Sequence, residues 1–253
     1  MASSPSKTPC GPFPGQVALV TGAGIRLGRA IAKSLAENGC ELILHYRSSR
    51  SEAQSLAAEI KKLGRKAVLI KADLSKGKET ENLAKQAEKA LGRVDILVNS
   101  AAVFWPTLPE RLNEKELNAF LDINLKSPYI LSSEIGQRMK ARGGGAIINM
   151  ACVSGLRPWK SHVPYSISKA GIIALTVGMA KVLGPEVRVN AIAPGTVLPP
   201  ENMPAGQLES IRERLPLKKL GTPEDITSAV LYLLGARFVT GQVLCVDGGR
   251  SIV

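Results

Sequence analysis

The stretch QVALVTGAGIRLGRAIAKSLAENGCEL, residues 16–42, limits the possible folds more than any other part of the chain. It reads as a short buried strand at 17–20, a glycine-bearing turn, and a helix with Leu27, Ile31 and Leu35 on one face. Gly22 and Gly28 would let the backbone of that turn approach a pyrophosphate, which the positive N-terminal end of the next helix favours. A lone glycine turn also serves as plain punctuation between strand and helix, so the rest of the chain must decide.

The alternation continues to the C-terminus. Further strands are predicted at 41–46, 66–71, 96–99, 146–150, 187–193 and 242–246. Helices are predicted at 27–38, 51–63, 78–91, 114–141, 165–183, 207–215 and 223–234. Such alternation predicts one Rossmann-type doubly wound α/β domain, its mostly parallel seven-stranded sheet covered by helices on both faces. A chain of 253 residues, 45% of them hydrophobic, can supply that core. Residues 1–14, rich in Ser and Pro, are expected to form a disordered arm, with 15–253 as the folded domain.

Several function classes lose ground on the same reading. No run approaches a membrane span, since even GIIALTVGMAKVLG is short and carries Lys181. The net charge of +12 comes from dispersed basic residues with only 4% aromatics, which points to attraction of an anionic small molecule and not to nucleic acid. Cys10, Cys40, Cys152 and Cys245 are scattered and the only histidines are His45 and His162, so neither a metal site nor a disulfide framework is indicated. A reducing cytoplasm is the expected setting.

Tyr165 and Lys169 stand four residues apart in YSISKAGIIALTVGMAKVLG, a spacing that places both on one helix face. An ammonium beside a phenol favours phenolate and would lower the tyrosine pKa, giving a proton donor suited to hydride chemistry at a carbonyl or imine. Taken alone, the pair also fits an ordinary amphipathic helix.

With the glycine turn, the pair belongs to an ordered set of motifs. ADL at 72–74, VNSAA at 98–102, INLKSPY around Asn124, APG at 193–195 and VDGG at 246–249 follow in order and spacing. From about Gln16 to the end, the chain resembles the short-chain dehydrogenase/reductase family. The resemblance implies a catalytic set of Tyr165, Lys169, Asn124 as the orderer of a relay water, and Cys152. It implies a dinucleotide held by Gly22, Ile25, Arg26, Leu27 and Gly28, by His45, Tyr46, Arg47 and Ser48, and by Ala72, Asp73 and Leu74. Asn99, Ser100, Ala101, Tyr165, Lys169, Pro194, Gly195, Thr196 and Val197 complete that set. A substrate loop is expected near 196–215, and a homotetramer from the family's habit.

Charge selects among cofactors. The second strand ends in His45, Tyr46, Arg47 and Ser48, where an acidic residue would repel a 2′-phosphate. Arg47 and Arg26 are read as two cations converging on that phosphate, so NADPH is expected. T-G-x-x-x-R-x-G, the HYRSS strand end, and Phe104 and Trp105 in NSAAVFWPTLP resemble the pteridine reductases within the family. That implies a small-molecule substrate, a dihydropterin or related heteroaromatic stacked on Phe104. Reduction of a 3-oxoacyl thioester or another small carbonyl is the alternative. A dinucleotide-binding sensor without turnover is a third reading, motivated by two departures. Cys152, thirteen residues before Tyr165, stands where the family has Ser and pteridine reductases have Asp, and Ala102 replaces a substrate-contacting serine. Ser154 is the other residue that could take the polarising role of Cys152.

Overall fold

The computed structural model of the chain describes residues 11–108, 110, 113–199 and 203–253. Seven strands form one parallel sheet in the order β3-β2-β1-β4-β5-β6-β7. They are β1 (Val17–Val20), β2 (Glu41–Tyr46), β3 (Ala67–Lys71), β4 (Ile96–Asn99), β5 (Gly145–Met150), β6 (Val187–Pro194) and β7 (Val243–Val246). The helices are α1 (Arg26–Glu37), α2 (Arg50–Lys62), α3 (Gly77–Leu91), α4 (Glu114–Leu121), α5 (Ser127–Ala141), α6 (Val163–Leu183), α7 (Ala205–Arg214) and α8 (Pro223–Gly235).

Period-2 alternation divides the strand side chains between two cores. Ala18 and Val20 of β1 join Ile31 and Leu35 of α1, Leu56 of α2 and Val230 of α8 on one face. Val17 and Leu19 join Leu83 of α3, Leu131 and Ile135 of α5 and Leu183 of α6 on the other. Helices on both faces leave the two ends of the sheet as the open surfaces. Strand order reverses direction between β1 and β4, which opens a crevice at their C-terminal ends, where open α/β sheets bind ligands.

Three expectations are corrected. The packed chain begins before residue 15: Phe13 is buried among the α1 and β2 core residues, and its N–H donates to the Asn38 carbonyl at 3.1 Å. Residues 1–10, with Cys10, lie outside the described residues. The helix expected at 114–141 is divided by a π-helical segment, Asp122–Lys126, whose wider turn carries Asn124. Finally, α6 is long and apolar enough to cross a membrane by length and composition. Here it is a core helix, with Ile172, Met179 and Leu183 buried and the charged Lys169 enclosed.

Candidate active site

The crevice at the strand ends is a cavity of about 1080 Å³. Its first end is built mainly from main chain. Gly22 is left-handed at φ 64°, and an added Cβ at Gly28 would come within 2.2 Å of the Gly22 carbonyl, so only glycine permits this closeness of turn and helix. A Cβ at Gly24 would come within 2.4 Å of Ser49 Oγ. Thr21 Oγ1 accepts the N–H groups of Ser100 and Ala101 at 2.9 and 3.0 Å, tying the ends of β1 and β4 together. The first turn of α1 has no acidic residue, so its N-terminal partial charge faces the cavity unopposed.

His45 locks this end from behind. Its Nδ1 accepts the Gly22 N–H at 3.0 Å, so the proton resides on Nε2, which donates to the Ala72 carbonyl at 3.1 Å. Burial lowers its pKa to about 4, and the ring is neutral. It is therefore a clamp between the glycine turn and the end of β3, not a cation facing a phosphate.

Most of the expected ligand-binding set does line the cavity: Gly22, Ile25, Arg26, Leu27, Gly28, His45, Arg47, Ser48, Asp73, Leu74, Ser100, Ala101, Pro194, Gly195, Thr196 and Val197. So do Phe104, Cys152, Tyr165 and Lys169. Five expected residues do not, each because its hydrogen bonds or packing lie elsewhere. Tyr46 and Ala72 join β2 to β3, the Ala72 N–H donating to the Tyr46 carbonyl at 3.2 Å. Asn99 turns into a buried polar ladder, donating to Ser132 Oγ and Asn149 Oδ1, while Asn149 donates to Thr176 Oγ1. Asn124 accepts the Val103 N–H at 2.8 Å and donates to the Val103 carbonyl and Ser168 Oγ at 3.1 Å, so its side chain pins the loop after β4 to α6. Trp105 packs on Phe120, with ring centroids 4.2 Å apart, behind the wall that Phe104 forms.

Arg26 departs from expectation differently. It occupies a left-handed conformation at φ 52°, and its guanidinium donates to the Leu198 carbonyl beyond β6. In the sheet order β2 and β6 lie on opposite sides of β1, so Arg26 and Arg47 do not converge. Arg47 is the cation at the β2 end, exposed and near enough to Asp73 to help hold that carboxylate ionised, after the hydrogen bonds from Ser75.

At the second end α6 brings Tyr165 and Lys169 to the same wall, with Lys169 Nζ 5.7 Å from the Tyr165 ring centroid and donating to the Met150 carbonyl at 2.7 Å. Gly155 makes this packing possible, since a Cβ there would lie 2.7 Å from the Lys169 main chain. Cys152 packs in the same buried cluster as Tyr165 and lines the same wall of the cavity. Ser154 does not compete for that place: it is fully buried, it does not line the cavity, and its N–H points at Cys152 Sγ.

The expected lowering of the tyrosine pKa is overturned. Burial raises the Tyr165 phenol well above its ordinary value, and Cys152 adds to the effect. Lys169, fully enclosed, is itself pulled down to about 8 by burial. Desolvation disfavours the charged form of both groups and outweighs the attraction expected from spacing alone.

Sequence reasoning did not find Trp159, His162 or Arg250, all of which line the second end. Phe104 stacks on His162 with centroids 4.7 Å apart and meets Tyr165 edge-on at 4.8 Å, while Arg250 lies over the Trp159 ring at 4.6 Å. The aromatic and histidine cluster in RPWKSH, just before Tyr165, was the available signal for two of them.

Comparisons with known proteins agree with this geometry. Residues 22–251 match the family model described as enoyl-(acyl carrier protein) reductase. The chain is 35% identical over 237 residues to the 3-oxoacyl-[acyl-carrier-protein] reductase FabG of Staphylococcus epidermidis, covering 92% of this chain and 97% of that protein. Among solved structures it superposes on a short-chain dehydrogenase/reductase from Serratia marcescens with a TM-score of 0.89, at 34% identity and coverage of 95% and 99%. A short-chain dehydrogenase from Burkholderia cenocepacia in complex with NADP gives a TM-score of 0.86, at 31% identity and coverage of 94% and 98%. The parallel sheet, the glycine turn under α1, the Tyr165–Lys169 pair and these matches over nearly the whole length make the chain a member of the short-chain dehydrogenase/reductase family, an NAD(P)-dependent oxidoreductase.

Proposed function

We propose that this protein is an NADPH-dependent reductase of a small carbonyl compound, with 3-oxoacyl thioesters as the best-supported substrate class and Tyr165 as proton donor. The observation that carries the reading is a single cavity with Arg47 and the glycine turn at one end and Tyr165, Cys152 and Lys169 at the other. The thioester class draws its support from the Staphylococcus relative, and NADPH from Arg47 and the NADP-bound Burkholderia neighbour.

The cavity fits a dinucleotide: Gly28 lets the glycine turn close against the unopposed end of α1, and Arg47 offers a fork for a 2′-phosphate. Bound there, the reduced nicotinamide would supply hydride. Tyr165 holds its proton at neutral pH because burial disfavours phenolate, so it enters the reaction as the donor. Lys169, with a pKa near 8, is protonated at pH 7, and its charge would stabilise the phenolate left behind. Cys152 lines the wall beside Tyr165, and as a thiol, a weak donor, it would polarise a substrate carbonyl little. Asn124 acts by holding the Val103 backbone, and with it the Phe104 wall, against α6.

A dihydropterin is the second reading, favoured by the exposed Phe104 ring beside Tyr165. NADPH oxidation measured with a 3-oxoacyl thioester, with dihydrobiopterin and with a quinone separates the readings. Turnover of the thioester is expected. Turnover of dihydrobiopterin alone would move the assignment to pterins, and no oxidation with any of them would defeat the carbonyl reading.

We also infer self-association through α5 and α6, where Tyr129, Ile167 and Val182 are exposed. Light scattering that finds a monomer at micromolar concentration would refute it.

A further inference from the structure

Arg250 follows the last strand, in the short 3₁₀ turn Arg250–Ile252, yet its side chain reaches the same cavity wall as Cys152, Trp159 and Tyr165. The reductase mechanism gives it no task. Its guanidinium lies over the Trp159 ring, 4.6 Å from the centroid, and Nη1 donates to Thr196 Oγ1. Among the described residues no carboxylate comes within 4.0 Å of it to form an ion pair.

Asp247, whose charge acts on Arg250, is already engaged. Asp247 Oδ1 accepts the Gly249 N–H at 2.9 Å and Oδ2 accepts the Ser251 N–H at 2.7 Å, so this carboxylate fixes the turn that presents Arg250. Burial makes the cationic form costly, lowering the Arg250 pKa from its ordinary value. Asp247 offsets part of that cost through space but makes no ion pair with it. A half-buried guanidinium with no carboxylate in contact among the described residues, held in place by an aromatic face and one hydroxyl, is arranged to receive an anion from outside the protein.

The charges around the cavity separate by position. Among the described residues its lining holds Arg26, Arg47, Lys169 and Arg250 against the carboxylate of Asp73. Arg47 and Asp73 stand at the β2 and β3 ends. Arg26 is bonded to the Leu198 carbonyl, and Lys169 is enclosed and bonded to that of Met150. Arg250 is the remaining cation, and it faces the aromatic end. Resting on the reductase reading above, we propose that Arg250 is a specificity-determining residue that binds a carboxylate of the substrate remote from the reacting carbonyl, so that carbonyl compounds bearing such a carboxylate, acyl thioesters with a carboxylate on the chain included, are preferred to the forms in which that group is a neutral ester.

The acid and ester forms of one carbonyl compound test this directly. With para-formylbenzoate and its methyl ester, the native protein is expected to favour the acid in kcat/KM by about tenfold or more, the range of a charge-assisted hydrogen bond. Arg250→Met should bring the ratio close to one, chiefly through the KM of the acid, and Arg250→Lys should restore part of the preference. An unchanged acid-to-ester ratio in Arg250→Met would overturn the proposal, because a purely structural Arg250 would affect both substrates alike. NADPH affinity measured on each variant identifies one that has failed to fold, in which case Arg250→Lys and the native protein decide. If the native protein reduces neither compound, the reductase reading fails for this class and calorimetry tests the site alone. Para-toluate should then bind the NADP-loaded protein at least about tenfold more tightly than para-toluamide, and equal binding would sink the anion site.

Discussion

The two ends of the cavity are made from different materials. At the β1–β2 end the walls are main chain: Gly22 and Gly28 in close approach, Thr21 gathering the N–H groups of Ser100 and Ala101, and His45 bonding Gly22 to Ala72. At the far end the walls are side chains drawn from separate segments, with Phe104 after β4, Cys152 after β5, Tyr165 on α6 and Arg250 beyond β7. Main-chain geometry tolerates few substitutions, because the space and conformation admit only glycine at Gly22 and Gly28. A side-chain wall changes its ligand with one residue. The contrast puts a fixed main-chain wall at one end of the cavity and a thiol and a guanidinium beside Tyr165 at the other.

The comparison breaks most visibly at Tyr165. Tyr165→Phe should lower turnover by about a thousandfold or more, the upper part of the range for a general acid, while the dissociation constant for NADPH changes little because the ring and its packing remain. Steady-state rates and cofactor fluorescence titration measure both. Activity that survives the substitution would show that the far end does not supply the proton.

The next effect belongs to the main-chain end and is one of stability. His45 has a folded-state pKa of about 4, below the ordinary 6.5 it regains on unfolding. As pH falls, the unfolded chain takes up this proton first, so the stability tied to neutral His45 is complete above pH 6.5 and is lost progressively towards pH 4. The gap is worth about 3 kcal/mol. Denaturant melts of the native protein and of His45→Gln across that window should therefore converge by about this amount as pH drops. A difference independent of pH would mean that the clamp is not a neutral imidazole.

The smallest expected effect sharpens the division of labour at the cofactor end. Since Arg26 is turned towards Leu198, the proposed NADPH preference is expected to rest on Arg47, and Arg47→Asp should shift the NADPH-to-NADH affinity ratio by about ten- to a hundredfold towards NADH. Arg26→Ala should move that ratio far less. Equal effects from both arginines would restore the converging pair expected from sequence.

Much of this was legible without coordinates. The glycine turn, the strand ends and the i, i+4 spacing of Tyr165 and Lys169 are local properties, and local steric and periodic rules suffice to read them. Cys152 packs in one buried cluster with Tyr165, but no motif could show that Ser154 is buried. Asn99, Asn124 and Trp105 do not line the cavity, because a motif gives the position of a Cα and not the direction of its side chain. Asn99 turns into a polar ladder, Asn124 pins a neighbouring loop, and Trp105 packs on Phe120.

The sequence by itself determined the order of strands and helices, the glycines of the turn and the pair on α6, since each follows from residues a few positions apart. Tertiary structure alone decided the rest. It enclosed Tyr165 and Lys169 deeply enough for desolvation to reverse the tyrosine shift that their spacing implied. It sent Arg26 away from Arg47, and it brought Arg250 from beyond β7 onto Trp159 beside the substrate end. Burial and long-range convergence depend on how the whole chain packs, and no local pattern encodes the solvent that packing removes.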